Sequence, residues 1–255
     1  MRGQAELMLW FKAWRESRPR FLICAGVVAG ICLLEVLFEG QAREQLGSKL
    51  VPNSYVGYVY RLTYAGTARG LFSLFVGVLG LGGLQRECGL GTATFTLVLP
   101  ISRLRLILVR AGMGIAQIGA ISLLPAAIIP ALSRVTHQVY PLSQALQFSL
   151  LWFVCGIAGF SAWLLASTVF NSDLTALTVC FAIGFLLGAA EQLSPLGTYL
   201  PSSNYVMSGF KMPYLDPNTD LLTGPLPWRI LLQMILQAVV LLMLAARVTE
   251  KRDFT

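Results

Sequence analysis

The side chains able to do chemistry are few and scattered. Histidine occurs once, at His137, in a stretch that reads as an outer loop, where a lone imidazole is ordinarily a solvated side chain. The five cysteines, Cys24, Cys32, Cys88, Cys155 and Cys180, lie mostly inside apolar runs. They have neither metal-ligand spacing nor the even count of a disulfide framework, and read as small apolar packers. No paired histidines or carboxylates have metal-binding spacing, and no nucleophile stands beside a base, so the sequence offers no metal site and no catalytic residue. Gly80, Gly82, Gly83, Gly89 and Gly91 make a glycine-rich stretch. It does not end in the Gly-Lys-Ser/Thr of a phosphate-cradling loop, and close helix packing accounts for it. Glu35 and Arg69 are charges at the edges of apolar runs. Unpaired charge in a membrane is costly, so two outcomes are open: an ion pair at the membrane edge, or separate snorkelling of each side chain to the interface.

The elements that would position these groups follow from composition. Of 255 residues, 56% are hydrophobic and 12% charged, about half the charge of an ordinary soluble domain. Such a chain cannot solvate its surface in water, and lipid is the solvent that asks for no charge. The net charge of +7 flanks the apolar runs, which points to headgroups and topology control rather than nucleic acid. A span needs about 20 apolar residues. Six candidates meet or approach that: Phe21–Phe38, Ala65–Leu84, Leu104–Ile129, Leu146–Phe170, Leu174–Ala190 and Trp228–Ala246. Backbone groups in hydrocarbon must be satisfied internally, so the expected fold is all-α, a polytopic membrane protein with six transmembrane helices. The first apolar run follows a charged stretch without a small-residue cleavage site, so no cleavable signal peptide is expected.

Orientation follows from the 19 lysines and arginines. With the N-terminus inside, Arg2, Lys12, Arg15, Arg18, Arg20, Arg86, Arg103, Arg105, Arg110, Arg247, Lys251 and Arg252 lie inside, twelve in all. The seven others lie outside or at its edge: Arg43, Lys49, Arg61, Arg69, Arg134, Lys211 and Arg229. That asymmetry puts both termini in the cytoplasm of a multi-pass protein of the cell inner or plasma membrane. Residues 1–20 form their own unit. Leu7, Trp10, Phe11 and Trp14 recur at helical spacing away from Lys12, Arg15 and Glu16, the pattern of an amphipathic interfacial helix. Trp10, Trp14 and, at the last span, Trp228 are the expected interfacial anchors. Residues 21–255 are the transmembrane domain. Within it, 39–64 is an outer loop whose Tyr55, Tyr58, Tyr60 and Tyr64 are expected to skim the interface. The other outer loop, 191–227, is proline-rich and reads as short helices or a re-entrant piece. Gly26 with Gly30, and Gly184 with Gly188, have the spacing that lets helices approach closely.

The most informative stretch is Gln85 to Gly114. Glu87 to Leu99 is too short and too interrupted by glycine to cross a bilayer, so it is expected to be a short helix parallel to the membrane. Pro100 would end it, because the residue before proline avoids helix. Ser102 stands where a hydroxyl could cap the third span, and Arg103 and Arg105 would hold the turn at anionic headgroups. A short helix on a rigid corner can transmit force from a cytosolic partner; an ordinary re-entry turn is the plainer alternative.

This stretch resembles the cytoplasmic loop between the second and third spans of ABC-2-type transporter permeases. Their pattern is an acidic residue, three residues, Gly-Thr, then an apolar stretch closing in Leu-Pro-Val/Ile-Ser-Arg. Glu87, Gly91, Thr92, Leu99, Pro100, Ile101, Ser102 and Arg103 occupy those places here, and Arg110 matches a basic position as the third span begins. The charged tail from Glu250 to Phe254 is similar to the family's too. Ala93 and Thr94 depart from it, since the family often carries another acid soon after Gly-Thr. The resemblance implies a coupling loop at 85–103, a second permease subunit (an identical copy or a paired homologue) and separate cytosolic ATPase subunits. ATP and Mg would be bound there, with no cofactor in this chain. The first and fifth spans are the expected seam between permease subunits. A membrane scaffold or accessory subunit is an alternative, as is a secondary carrier, which the lack of mid-membrane carboxylates disfavours.

Overall fold

The structure, a computed structural model, describes residues 2–46, 54–81, 102–170, 172–193, 203–209, 215–216, 220–222 and 224–251. Its helices are α1 (Arg2–Leu37), α2 (Glu39–Leu46), α3 (Tyr55–Val59), a π-helical turn (Tyr60–Tyr64), α4 (Thr67–Gly80), α5 (Arg103–Val135), α6 (Leu142–Val169), α7 (Asp173–Leu193), α8 (Ser203–Met207) and α9 (Trp228–Lys251). Among the described residues there is no strand, only an isolated antiparallel bridge between Leu215 and Leu222. The all-helical class expected from composition holds. Five helical stretches are long and apolar enough to cross a membrane: Leu7–Leu37, Tyr55–Gly80, Leu104–Val135, Leu142–Val169 and Trp228–Lys251. This architecture is compatible with a membrane-embedded protein.

The sixth expected span falls short. The apolar stretch of α7 is Leu174–Ala189, which rises about 24 Å at 1.5 Å per residue, against a hydrocarbon core of about 30 Å. The second span is longer than expected. Its helical path begins at Tyr55, not Ala65, and the four tyrosines of the expected interfacial loop are core residues, 9%, 0%, 2% and 0% exposed in order. A phenol can be buried when its hydroxyl finds an acceptor, and three of these four do so. α1 runs unbroken through residue 20, with Pro19 inside it. α5 lies against it: the Ser17 hydroxyl accepts from the Gln117 amide at 2.6 Å, and Trp10 lies flush on Gly112. A Cβ at Gly112 would come within 2.6 Å of the indole.

The hub is α6, onto which α4, α5, α7, α8 and α9 all pack. The most apolar window of α6 is 61% buried, against 22% for α1 and 28% for α9. The glycine-rich exit of α4 serves packing, as expected for Gly80: a Cβ there would stand 2.6 Å from Cβ of Trp163 on α6. The two small-residue pairs behave otherwise. Gly26, Gly30, Gly184 and Gly188 have nothing within 4 Å of where a Cβ would be, so neither pair brings two helices of this chain together.

Candidate functional site: polar groups at the two ends of the bundle

At one end, the tyrosine end, α1 meets the π turn. The turn is closed by Ala65 N–H donating to Tyr60 C=O at 2.8 Å, five residues back. Tyr60, Thr63 and Tyr64, at i, i+3 and i+4, all lie on the buried side. Such turns are often found at functional sites. Thr63 Oγ1 donates to the Glu35 carboxylate, and Tyr58 O–H donates to the Glu35 backbone carbonyl at 2.8 Å. Tyr58 in turn lies under Arg43 at 5.1 Å, and Arg43 pairs with Glu39 at 2.8 Å. Tyr55 O–H shares a 2.6 Å hydrogen bond with Ser133 of α5.

Behind this layer sits an aromatic box. The Tyr64 ring stacks on Phe148 at 4.5 Å and on Tyr140 at 6.2 Å, and meets Trp152 edge-on at 5.7 Å. Trp152 continues to Phe72 at 4.9 Å. The hydroxyls of Tyr64, Tyr140 and Ser149 and the Trp152 Nε1 are buried with no hydrogen-bond partner among the described residues. Each such group costs about 1–3 kcal/mol when left unpaired. Tyr64 lies within electrostatic reach of Glu35, Cys32 and Tyr140. Burial also raises the Tyr140 phenol well above its ordinary value.

A lid from the 191–227 segment covers this end. Tyr60 O–H donates to Ser208 C=O at 2.8 Å, and Ser73 Oγ approaches Met207 Sδ at 3.7 Å, so α8 reaches in between α4 and α6. Gln144 clasps Leu222 at both backbone groups, donating to its carbonyl at 2.8 Å and accepting from its N–H at 3.0 Å. Asp220 has a left-handed φ of 53° and an ion pair with Arg61 at 3.4 Å. Desolvation raises the Asp220 carboxyl above its ordinary value, with Arg61 pulling the other way. The described part of this segment contains one short helix, α8.

At the opposite end, the arginine end, α4 stops at Leu81. Its carbonyl accepts from Arg20 at 2.9 Å and from Arg110 at 3.1 Å. Ser102 opens α5 in extended conformation, and its carbonyl accepts from the N–H groups of Arg105 and Leu106. The expected capping bond from its side chain is not made: the cap is backbone only.

The structure distributes the sequence-derived site residues as follows. Glu87, Gly91, Thr92, Leu99 and Pro100 lie outside the described residues, as does Cys88. Arg103 is the first residue of α5. Glu35 and Arg69 do not form the ion pair that was one of the two outcomes open. Glu35 bonds Thr63, whereas Arg69, on α4, lies beside Tyr60. Trp228 is 59% exposed and Trp10 42% exposed, and Trp14 leans on Phe21 at 5.7 Å. His137 is exposed, as expected, in a turn with φ 58°. Cys24, Cys32 and Cys155 are buried packers; Cys180 is half-buried. The partners of Glu35, above all Thr63 and the tyrosines, were missed. The one signal was four tyrosines within ten residues carrying a single charge, Arg61.

No protein-family model matches the chain, and no curated protein and no solved structure is significantly similar to it.

Proposed function

We propose that the chain is the transmembrane permease subunit of an ATP-driven exporter of the ABC-2 type, with both termini in the cytoplasm. Residues 85–103 would couple it to separate cytosolic ATPase subunits, which bind ATP and Mg. The chain itself would provide the substrate path and no hydrolysis. The observation that carries this reading is the Glu87–Arg103 motif, joining the ends of two long apolar helices. Arg110 on Leu81 ties those two ends to one corner, so a push on the loop would reach α4 and α5 together. A second permease subunit fits the glycine pairs of α1 and α7, where an added Cβ would meet nothing within 4 Å among the described residues. The test is co-purification with an ATPase encoded beside this chain, followed by substrate-stimulated hydrolysis. The chain alone should hydrolyse no ATP; robust hydrolysis by a verified single-chain preparation overturns the assignment.

A secondary carrier is a second reading, favoured by one observation: a carboxylate, Glu35 of α1, is bonded by Thr63 of the second helical path. Transport by the chain in vesicles without any ATPase would decide for the carrier.

A further inference from the structure

We infer that Glu35 is a proton-binding site of the bundle, taking up and releasing one proton from the tyrosine end. The inference goes beyond the exporter reading and does not depend on it.

Four observations carry it. Among the described residues the carboxylate has one hydrogen-bond donor, Thr63 Oγ1. No lysine or arginine among the described residues stands at ion-pair distance from it. Glu39 and Arg43, which with Glu35 act on Tyr58, neutralise each other at 2.8 Å. The other titratable groups within its electrostatic reach are neutral ones: Cys32 from α1, and Tyr58 and Tyr64 from the second helical path. A carboxylate with one hydroxyl donor and no cation is poorly compensated in an apolar bundle. The cheapest compensation is a proton on the oxygen that Thr63 does not hold. The step balances as carboxylate plus hydronium giving carboxylic acid plus water.

The surroundings fit an exchangeable site rather than a sealed one. Glu35 is only partly buried. The Tyr64 hydroxyl, within electrostatic reach of it, and the Tyr140 hydroxyl next to Tyr64 are buried with no hydrogen-bond partner among the described residues, each able to donate to or accept from an added water. The π turn that presents Thr63 and Tyr64 together is a local departure from the α ladder, of the kind found where a helix is bent to a task. An alkali cation is the competing occupant, and the experiment separates the two.

The experiment is infrared difference spectroscopy of the full chain in liposomes, titrated in pH and compared with Glu35→Gln. A protonated-carboxyl band is expected at low pH that fades as pH rises and is missing from Glu35→Gln. Thr63→Val removes the donor that favours the charged form, so the band should persist about one pH unit higher. This second variant keeps the test alive if Glu35→Gln does not fold. A pH titration with no Glu35-dependent band overturns the inference. So does a Glu35-dependent carboxylate band that shifts on adding Na+ while no protonated-carboxyl band forms at any pH, which would make this an alkali-cation site. No ATPase takes part, so failure here and failure of the exporter reading are separate results.

Discussion

The two ends of the bundle solve the same problem differently. At the tyrosine end, hydroxyls are drawn inside: Tyr58 and Tyr60 each donate to a backbone carbonyl and Tyr55 to a serine. Each ring adds apolar area to the core while its one polar atom is satisfied. At the arginine end, charge stays at the edge, with two guanidinium groups reaching to one carbonyl where α4 runs out of helix. A helix end leaves carbonyls without intrahelical partners, and arginine can satisfy one from a distance while its head stays near headgroups. The lesson is that cohesion should concentrate at the tyrosine end, and response to a cytosolic partner at the arginine end.

The largest expected effect tests the first half. Trp152 is fully buried, stacked on Phe72 and touched edge-on by Tyr64. Trp152→Ala should cost about 3–5 kcal/mol by cavity formation, measured by unfolding in mixed micelles. Arg20→Ala, at the other end, should cost about 1 kcal/mol or less, because Arg110 still holds the Leu81 carbonyl. Equal losses would erase the contrast.

The next effect tests the second half. Glu87→Ala should uncouple hydrolysis from substrate, bringing substrate-stimulated ATPase activity of the complex down to its unstimulated rate. Unfolding should shift by less than about 0.5 kcal/mol. Pro100→Ala should act in the same direction if the short helix expected over 87–99 then runs on. If both variants couple and bind the ATPase as the parent does, residues 85–103 form an ordinary turn.

A smaller effect concerns the lid. Tyr60→Phe removes one buried hydrogen bond to Ser208 without changing the ring that meets Phe148 at 5.5 Å. The cost should be about 1–1.5 kcal/mol, felt locally as faster amide exchange in 203–209 rather than across α6. Exchange that quickens equally in α6 would mean the lid and hub open as one unit.

Much of the fold could be read from the sequence, because apolar runs and the need for internal backbone bonds leave helices as the answer. The errors have physical causes. Tyrosine is scored as half polar, so Tyr55–Tyr64 read as an interface when its hydroxyls were in fact destined for buried acceptors. Nothing in the sequence announces a π turn. The apolar spacing of Leu7, Trp10, Phe11 and Trp14 marked residues 1–20 as a unit, and α1 runs on through residue 20 with Ser17 held by Gln117 of α5. Ser102 lies at the correct cap position, yet its backbone carbonyl does what was expected of its hydroxyl. Pairings between distant segments, Gln144 with Leu222 or Arg110 with Leu81, have no local signature at all.

The smallest effect is a pH dependence confined to the lid. Asp220 is 6% exposed, bonded through its N–H to the Asp216 carbonyl, and faces Arg61 and Asp216. Desolvation raises its carboxyl above the ordinary value despite Arg61. Arg61 is itself 47% exposed, so its pull is screened by water. The raised value fixes the sign. Within the window above the unfolded value of about 3.9, the folded lid holds more protons than the unfolded one. Stability therefore falls as pH rises through that window, and is greatest below it. Asp220→Asn keeps the left-handed backbone, which asparagine tolerates, and removes the titration. The thermal midpoint of the parent should drop relative to Asp220→Asn by about 2–4 °C at most as pH goes from about 4 to 7. A midpoint difference that stays constant across that range would mean Arg61 compensates the buried carboxylate fully. The lid would then belong with the charge-bearing arginine end in its chemistry, though it sits at the tyrosine end in space.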